Sequence, residues 1–517
     1  MDDDLAGDLD RISALPDDLL HLILARVDNM VTVTRTAVLS RRWRHVWVHA
    51  KSLKFKARDL GEEKLTVPGY FAGFVDWVLA RRGDAGTESI EIHFAGKSSA
   101  SPEQVNQWLR YAGRCVVKSF DVYIPLRESL TDLDAVIEFP SHCRADTIWL
   151  SLSKKHILRL PSSAAARYEA LTELCLYSAR FAGEASGEGR TLGDLVTSCC
   201  PRLRKLSIIS PVGLPQLVLR AEELQTLSID GAWDLRTLDV TAPSLRSVKL
   251  GLSFHNPLSF GDDDDDAMSK VARIMAPRLE EISMRNFSNR RPVLDIHGLS
   301  SVSRLKGLCL DMYGMYYRNA DVGLWLLENC PGVEHVDVWL QDGVAAGGEL
   351  IDLTSEGARP FASVRSMIVK TGHFLNCSWM VSISSLLMRF PCLRSLRIDN
   401  ICWADRKSTV PGVLRYGNLD MWKVDWKIAL ESLEDVVITG FTGAVEELNL
   451  VRLLFESSNS IKRMALRPPR IKLGAVMKAK EDDASDDTKM IYLELTKIPC
   501  ADRGNWHVEE KMFTWTC

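Results

Sequence analysis

The sequence contains no C-x-x-C pair and no Cys/His cluster at zinc spacing: its 12 cysteines are scattered, with Cys199 and Cys200 merely adjacent. A metal site and a disulfide-stapled scaffold are therefore not expected, and reduced thiols inside the cell are the natural reading. Positive charge is not in excess, since 64 Lys and Arg stand against 68 Asp and Glu, a formal net charge of -4. No global field draws in a polyanion. No apolar run is long enough to span a bilayer, and "MDDDLAGDLDRIS" is acidic rather than basic and then apolar, so neither a membrane span nor a signal peptide is expected. Also missing are a G-x-x-x-x-G-K-S/T loop, H-E-x-x-H and G-x-S-x-G, while "GEASGEGRTLG" from Gly183 has its glycines at the wrong spacing for a phosphate cradle. No catalytic residue, metal or cofactor is expected.

What is present is an ordinary globular composition over 517 residues, 46% apolar and 26% charged, enough for two or more domains. In "LPDDLLHLILARV", Pro16 suits a first helical turn and Asp17 and Asp18 complement the helix dipole. Leu20, Ile23, Leu24 and Val27 follow at helical spacing, widened by Leu19 into one apolar stripe. A second helix is predicted from about Thr34 to Val48. Its stretch "LSRRWRHVWVH" mixes tryptophan with arginine as a nucleic-acid grip would. On a helical wheel, however, Leu39, Trp43, Val46 and Trp47 gather on one side while Arg41, Arg44 and His45 face away. Residues 1–50 also hold eight aspartates against six arginines and no lysine, so an electrostatic grip is disfavoured.

Beyond residue 160 a pattern of apolar, two variable, apolar, one variable, apolar recurs. It reads "LTELCL" from Leu171, "LRKLSI" from Leu203, "LQTLSI" from Leu224, "LRSLRI" from Leu393 and "IKRMAL" from Ile461, 13 copies in all, with weaker ones at "VKSFDV" from Val117 and "ADTIWL" from Ala145. This is the strand core of a leucine-rich repeat, whose units bury their leucines only against their neighbours. Several copies follow an amphipathic stretch closed by Pro201, Pro331 or Pro391, which predicts a helix stopped before the next strand. Between Leu203 and Leu250 the spacing falls to 10 or 11, too short for a strand plus a helix; two strands per coil, one on each side, fit instead. The expected fold is an α/β solenoid, with strands on the concave side and helices or short strands on the convex side. "GDDDDDAMSK" from Gly261 lacks the alternating ligands of a calcium loop and reads as a solvated insertion, and "KAKEDDASDD" from Lys478 reads as a charged excursion.

"DRISALPDDLLHLILARV", Asp10 to Val27, followed by "RTAVLSRRWRHVW", Arg35 to Trp47, resembles the F-box of plant F-box proteins, and "LEDVVITGFTGAVEELNLVRLLFESSNSIKRMAL", Leu433 to Leu466, resembles the FBD motif of plant F-box/leucine-rich-repeat proteins. The resemblance implies the order 1–9 acidic tail, 10–50 all-helical F-box, 51–85 linker with first helical elements, 86–430 irregular leucine-rich-repeat solenoid, 431–500 FBD region of terminal repeats and 501–517 tail. It also implies a non-catalytic substrate-recognition subunit of an SCF-type ubiquitin ligase. The F-box would dock on a Skp-type adaptor, and through it on cullin and RING subunits, while the repeats bind a protein substrate for ubiquitination in the nucleus or cytoplasm.

Carried across, the adaptor-facing residues are Leu15, Pro16, Leu19, Leu20, Ile23 and Leu24 of the first helix and Val38, Leu39, Ser40 and Trp43 of the second. Val46 and Trp47 either join them or brace the F-box against its neighbours. On the repeats, Ile148 and Leu150, and Val336 and Val338, take the inward positions, which leaves Trp149 and Trp339 outward. Either tryptophan could anchor a substrate or simply cover an adjacent loop. A leucine-rich-repeat scaffold outside any ligase is the alternative function, and nucleic-acid binding a distant third.

Overall fold

The structure, a computed structural model, describes residues 15–61, 67, 69–95, 98, 100–124, 135–162, 166–181, 190–254, 270–285, 292–311, 322–341, 359–371, 378–400, 428–441, 443, 445–468, 483–498, 504–509 and 512–517. They divide into two compact units, residues 1–278 with 292–297, and residues 279–291 with 298–517. The acidic tail 1–9, Gly183–Gly189, the run Gly261–Ser269 and Lys478–Asp482 lie outside the described residues.

The first unit opens with three short helices. Helix α1 (Asp17–Ala25) follows Pro16 and carries both aspartates in its first turn. Helix α2 (Met30–Arg35) is capped by Asn29, whose side chain accepts the Thr32 N–H at 2.7 Å. The chain then tightens into a 3₁₀ turn at Thr36–Val38 and restarts as helix α3 (Trp43–Val46), which runs into a second 3₁₀ turn at Trp47–His49. The single helix expected over 34–48 is therefore broken. Threonines supply the reason: the Thr34 and Thr36 hydroxyls donate back to the carbonyls of Val31 and Val33 at 3.1 and 2.7 Å, while the Ser40 hydroxyl accepts from the Trp43 N–H at 3.4 Å and starts the next turn.

Strand Ser52–Lys56 follows directly, so the stretch expected as a linker holds the first strand of a sheet. Helix α4 (Tyr70–Arg82) leads to strand Thr87–His93, and helix α5 (Pro102–Cys115), held at its start by a capping box between Ser101 and Gln104, leads to strand Val116–Tyr123. Strands Thr147–Ser151, Glu173–Tyr177, Lys205–Ile209, Thr226–Asp230 and Ser247–Gly251 continue the same parallel ladder in chain order. A second parallel sheet joins Gln216–Arg220, Thr237–Thr241, Val271–Met275 and Val293–His297. From residue 205 to 275 the chain thus alternates between two sheets, the arrangement that the short spacing predicts. Helix Leu192–Cys199 packs so closely on the second sheet that a Cβ on Gly193 would collide with the Val218 carbonyl oxygen.

Each strand of the first sheet buries the inward pair of its repeat, such as Leu206 with Ile208 and Leu227 with Ile229, all fully buried. Immediately after the strand the backbone turns left-handed, at Ser178, Ser210, Gly231 and Leu252 with φ of 53°, 49°, 67° and 47°. Three of these four are not glycine and so carry steric cost. The turn is held because the N–H groups of Ser178, Ser210 and Gly231 donate to the carbonyls of Ile209, Asp230 and Gly251, extending the ladder one step beyond the strands.

In the second unit, strands Glu281–Arg285, Arg304–Asp311, His335–Gln341, Ser366–Thr371, Ser395–Asn400, Asp435–Thr439 and Arg463–Arg467 run parallel in chain order. Helices Val322–Asn329 and Ser378–Met388 end before Pro331 and Pro391. Gly307, at φ 59°, absorbs a register shift between Leu305 and Leu308. Part of the charged run from Lys478 proves helical, within Asp483–Thr496. The expected tail instead folds into strands Asn505–Glu509 and Met512–Thr516, the latter pairing antiparallel with Arg463–Arg467. Among the described residues, no helix is long and apolar enough to cross a membrane and no His/Cys/Asp/Glu group could hold a metal.

Candidate functional site

The three opening helices present two apolar surfaces rather than one. Leu20, Leu24, Met30, Val33, Trp43, Val46 and Trp47 are buried within the chain. Leu19, Leu22, Ile23, Val38 and Leu39 point to solvent, Val38 at 84% and Leu22 at 62% exposure, with Pro16 exposed and Leu15 and Ser40 half-buried. Of the ten residues expected to face an adaptor, Leu20, Leu24 and Trp43 are thus enclosed, as are Val46 and Trp47, for which a bracing place was the stated alternative, and Leu22 joins the open set. Helix α1 is apolar on both sides because its Leu20 and Leu24 side packs on its own chain while its Leu19, Leu22 and Ile23 side is left partly exposed by the described residues. Arg42 reaches across to Asp17 with Nε to Oδ1 at 2.8 Å, and Arg41, Arg44 and His45 are exposed, as the helical wheel requires.

The enclosed residues fasten this region to the sheet behind it. Trp47 stacks on Trp77 of α4 with ring centroids 5.7 Å apart and planes 22° apart. Beside it lies Arg82, 4% exposed. Its Nη1 donates to the carbonyls of Trp47 and Val48, Nη2 donates to the Thr87 hydroxyl at 3.0 Å and Nε to the Tyr111 hydroxyl at 3.4 Å. Acceptors from three elements converge on this one guanidinium. Trp47 therefore braces the opening helices against the first strands.

Residues 12–55, which include these short helices, match the model of the F-box domain family. Residues 12–55 are an F-box. The homologues are Arabidopsis thaliana F-box/FBD/LRR-repeat proteins covering much of the chain. One F-box/FBD/LRR-repeat protein is 22% identical over 401 residues, 75% of this chain and 76% of its own length. An F-box/LRR-repeat protein is 27% identical over 252 residues, 47% of this chain and 47% of its own length, and an F-box protein is 25% identical over 284 residues, 48% and 78%. The chain thus spans about half the length of some curated relatives and three quarters of others. F-box domains generally bind Skp-type adaptors, and F-box proteins are generally non-catalytic adaptor subunits. The eight cysteines whose side chains are described are free; burial pushes the thiols of Cys143 to about 11 and of Cys200 and Cys330 to about 12, which suppresses the thiolate form.

Behind the F-box, the solvent face of the first unit's sheet carries three large aromatics: Tyr123, Trp149 and Tyr177, 43%, 44% and 42% exposed. Trp149 was legible as an outward position. Tyr123 and Tyr177 were not singled out, although both occupy the position after the last apolar residue of their repeats, and that shared position was the available signal. In the second unit Trp339 is only half-buried to solvent, lying beneath Lys370, whose Nζ is 5.7 Å from its ring and 2.6 Å from Asp337. The structure thus keeps Trp149 open and partly covers Trp339.

Next to Tyr123, at the carboxyl ends of the first three strands, lies a pocket of about 370 Å³ lined by Lys56, Ala57, Arg58, Glu91, His93 and Tyr123, among others. His93 Nε2 is 2.9 Å from Asp121 and its Nδ1 3.4 Å from Glu91, which also faces Lys56 at 3.6 Å. The hydrogen bond to Asp121 holds the His93 imidazole above its ordinary value, against partial desolvation.

Proposed function

We propose that this protein is the substrate-recognition subunit of an SCF-type ubiquitin ligase, its F-box docking on a Skp-type adaptor that links it to cullin and RING subunits. The repeats form a leucine-rich-repeat solenoid that holds a protein substrate inside the cell, in nucleus or cytoplasm. The observation that carries this reading is the open apolar surface of Pro16, Leu19, Leu22, Ile23, Val38 and Leu39 on an F-box. Each large side chain there gains roughly 1.5–3 kcal/mol of gross transfer energy on burial, and several together offset the cost of association. Leu20, Leu24, Trp43, Val46 and Trp47 support that surface from inside, and Ser40 shapes the turn that carries Leu39.

The test is co-purification of the full chain with a Skp-type adaptor. Ile23→Asp and Leu39→Asp are expected to abolish capture while leaving the circular dichroism spectrum and melting temperature unchanged, because both side chains already face water. Leu20→Asp is expected to lose capture through unfolding, since a buried carboxylate has no partner there. An unmodified chain that captures no adaptor would sink the ligase reading and leave the scaffold reading in place.

A further inference from the structure

We propose that the pocket at the carboxyl ends of the first three strands is an anion site that takes one carboxylate group, gripped by Arg58 together with Lys56 and Tyr123. The site lies outside the adaptor-facing surface, and the proposal stands whether or not the chain docks on an adaptor.

The strand register builds the pocket. Lys56, His93 and Tyr123 are successive partners at the ends of three parallel strands, so their side chains leave one face in a row. Glu91 stands two residues before His93 on the same face of the middle strand. The first strand then passes into a 3₁₀ turn, Ala57–Leu60, which brings Arg58 to the pocket wall. Phe94, also in the wall, is buried, with its ring centroid 4.8 Å from that of Phe71 and 5.9 Å from that of Trp108. Its N–H donates to the Tyr123 carbonyl at 3.1 Å, and the Tyr123 ring meets His93 edge-on with centroids 6.0 Å apart. These contacts fix the wall before a ligand arrives, which lowers the ordering cost of binding.

Specific donors, not overall charge, choose the occupant. Elsewhere on this face Lys54 is held by Asp28 at 2.7 Å, Lys205 by Glu173 at 2.7 Å and Lys249 by Asp230 at 3.3 Å. In the pocket, Lys56 stands 3.6 Å from Glu91, beyond hydrogen-bond length. Arg58 and the Tyr123 hydroxyl make no hydrogen bond or ion pair among the described residues. A planar guanidinium offers two parallel donors that match the two oxygens of a carboxylate, and the Tyr123 hydroxyl can add a third. Glu91 lines the same pocket and Asp121 bonds His93 beside it, so a second negative charge on the ligand meets repulsion. A monoanionic carboxylate therefore fits better than a dianionic phosphate. Its apolar body rests on Ala57 and Phe94. A volume of about 370 Å³ is at the small end of ligand sites, which suits a small carboxylic acid or one acidic side chain of a polypeptide.

The experiment titrates the purified full chain, without adaptor, in a calorimeter. One arm compares benzoate with benzamide. The other compares a peptide of alanine and serine carrying one central Glu, its termini blocked, with the same peptide carrying Gln. In at least one arm the carboxylate is expected to bind about tenfold or more tightly than its amide, and the leading arm tells a free acid from a polypeptide side chain. Affinity is expected to fall as salt rises, because the site is open to solvent. Arg58→Ala is expected to weaken binding by about tenfold or more, Arg58→Lys to recover only part of the loss, and Tyr123→Phe to weaken it severalfold. Arg41→Ala, at an exposed arginine outside the pocket, is expected to leave binding unchanged. Melting curves establish that each variant folds, as expected where the altered group bonds nothing in the chain. The inference is overturned if neither carboxylate binds more tightly than its amide, if inorganic phosphate binds more tightly than both, or if folded Arg58→Ala binds as the natural chain does.

Discussion

A guanidinium surrounded by uncharged acceptors is an uncommon way to bury an arginine, and Arg82 meets only carbonyl and hydroxyl oxygens among the partners described above. Replacing it by methionine strands those oxygens away from water. The expected cost is about 2–4 kcal/mol, since each unsatisfied buried acceptor is worth roughly 1–3 kcal/mol, and urea unfolding curves measure it. Lysine at the same position is expected to recover little, because three donors from one point cannot reach four acceptors spread around a fork. His93 supplies a second prediction at this scale. Its folded-state pKa lies above the ordinary value, so the protonated form stabilises the fold; that contribution is complete below the unfolded pKa and is lost as pH rises through the raised one. The melting temperature of the natural chain should therefore fall relative to His93→Gln as pH rises from the ordinary imidazole pKa through the raised folded one. A difference that does not change with pH over that interval would show that the Asp121 contact contributes nothing.

Among the elements, the hairpin of Asn505–Glu509 and Met512–Thr516 has the clearest structural task. It covers the edge strand Arg463–Arg467 and brings Trp515 to 4.9 Å and Trp506 to 6.4 Å from Phe455, with Phe513 6.4 Å from Phe441. A chain ending before Asn505 exposes a strand edge beside the uncovered rings of Phe441 and Phe455, and we expect it to associate in light scattering at concentrations where the full chain does not. Phe455→Ala is expected to cost about 3–5 kcal/mol of stability by leaving a cavity at the same place. The hairpin went unread in the sequence because "MFTWT" alternates over only five residues, too few to separate from noise. The parallel strands were legible for the opposite reason, since the pattern of three apolar positions recurs 13 times beyond residue 160. The break between α2 and α3 was not legible, because it depends on hydroxyls bonding back to the chain rather than on apolar spacing.

For the whole molecule, the periodicity that revealed the repeats is blind to what covers a surface. Leu20 and Ile23 fall in one stripe on paper, yet the chain buries the first and leaves the second to solvent. Outward positions such as Tyr123 and Tyr177 are free of the burial requirement and so leave no periodic trace. The first unit joins the F-box and the eight-strand sheet in one body, through Trp47 on Trp77 and the four-way grip of Arg82. A fragment ending at residue 50 is therefore expected to be unfolded by circular dichroism, because Trp47 then has no Trp77 to stack on. A fragment of residues 1–278 is expected to keep the fluorescence of its enclosed tryptophans.

Because the partners of Arg82 described above include no carboxylate and no imidazole, acid protonates none of the acceptors that hold it. The opening helices and the first strands of the sheet are then held as one piece, not as two ends of a tether. On the proposed ligase reading, a polypeptide held by the first strands would then be offered to the adaptor side of the molecule at a single offset and orientation.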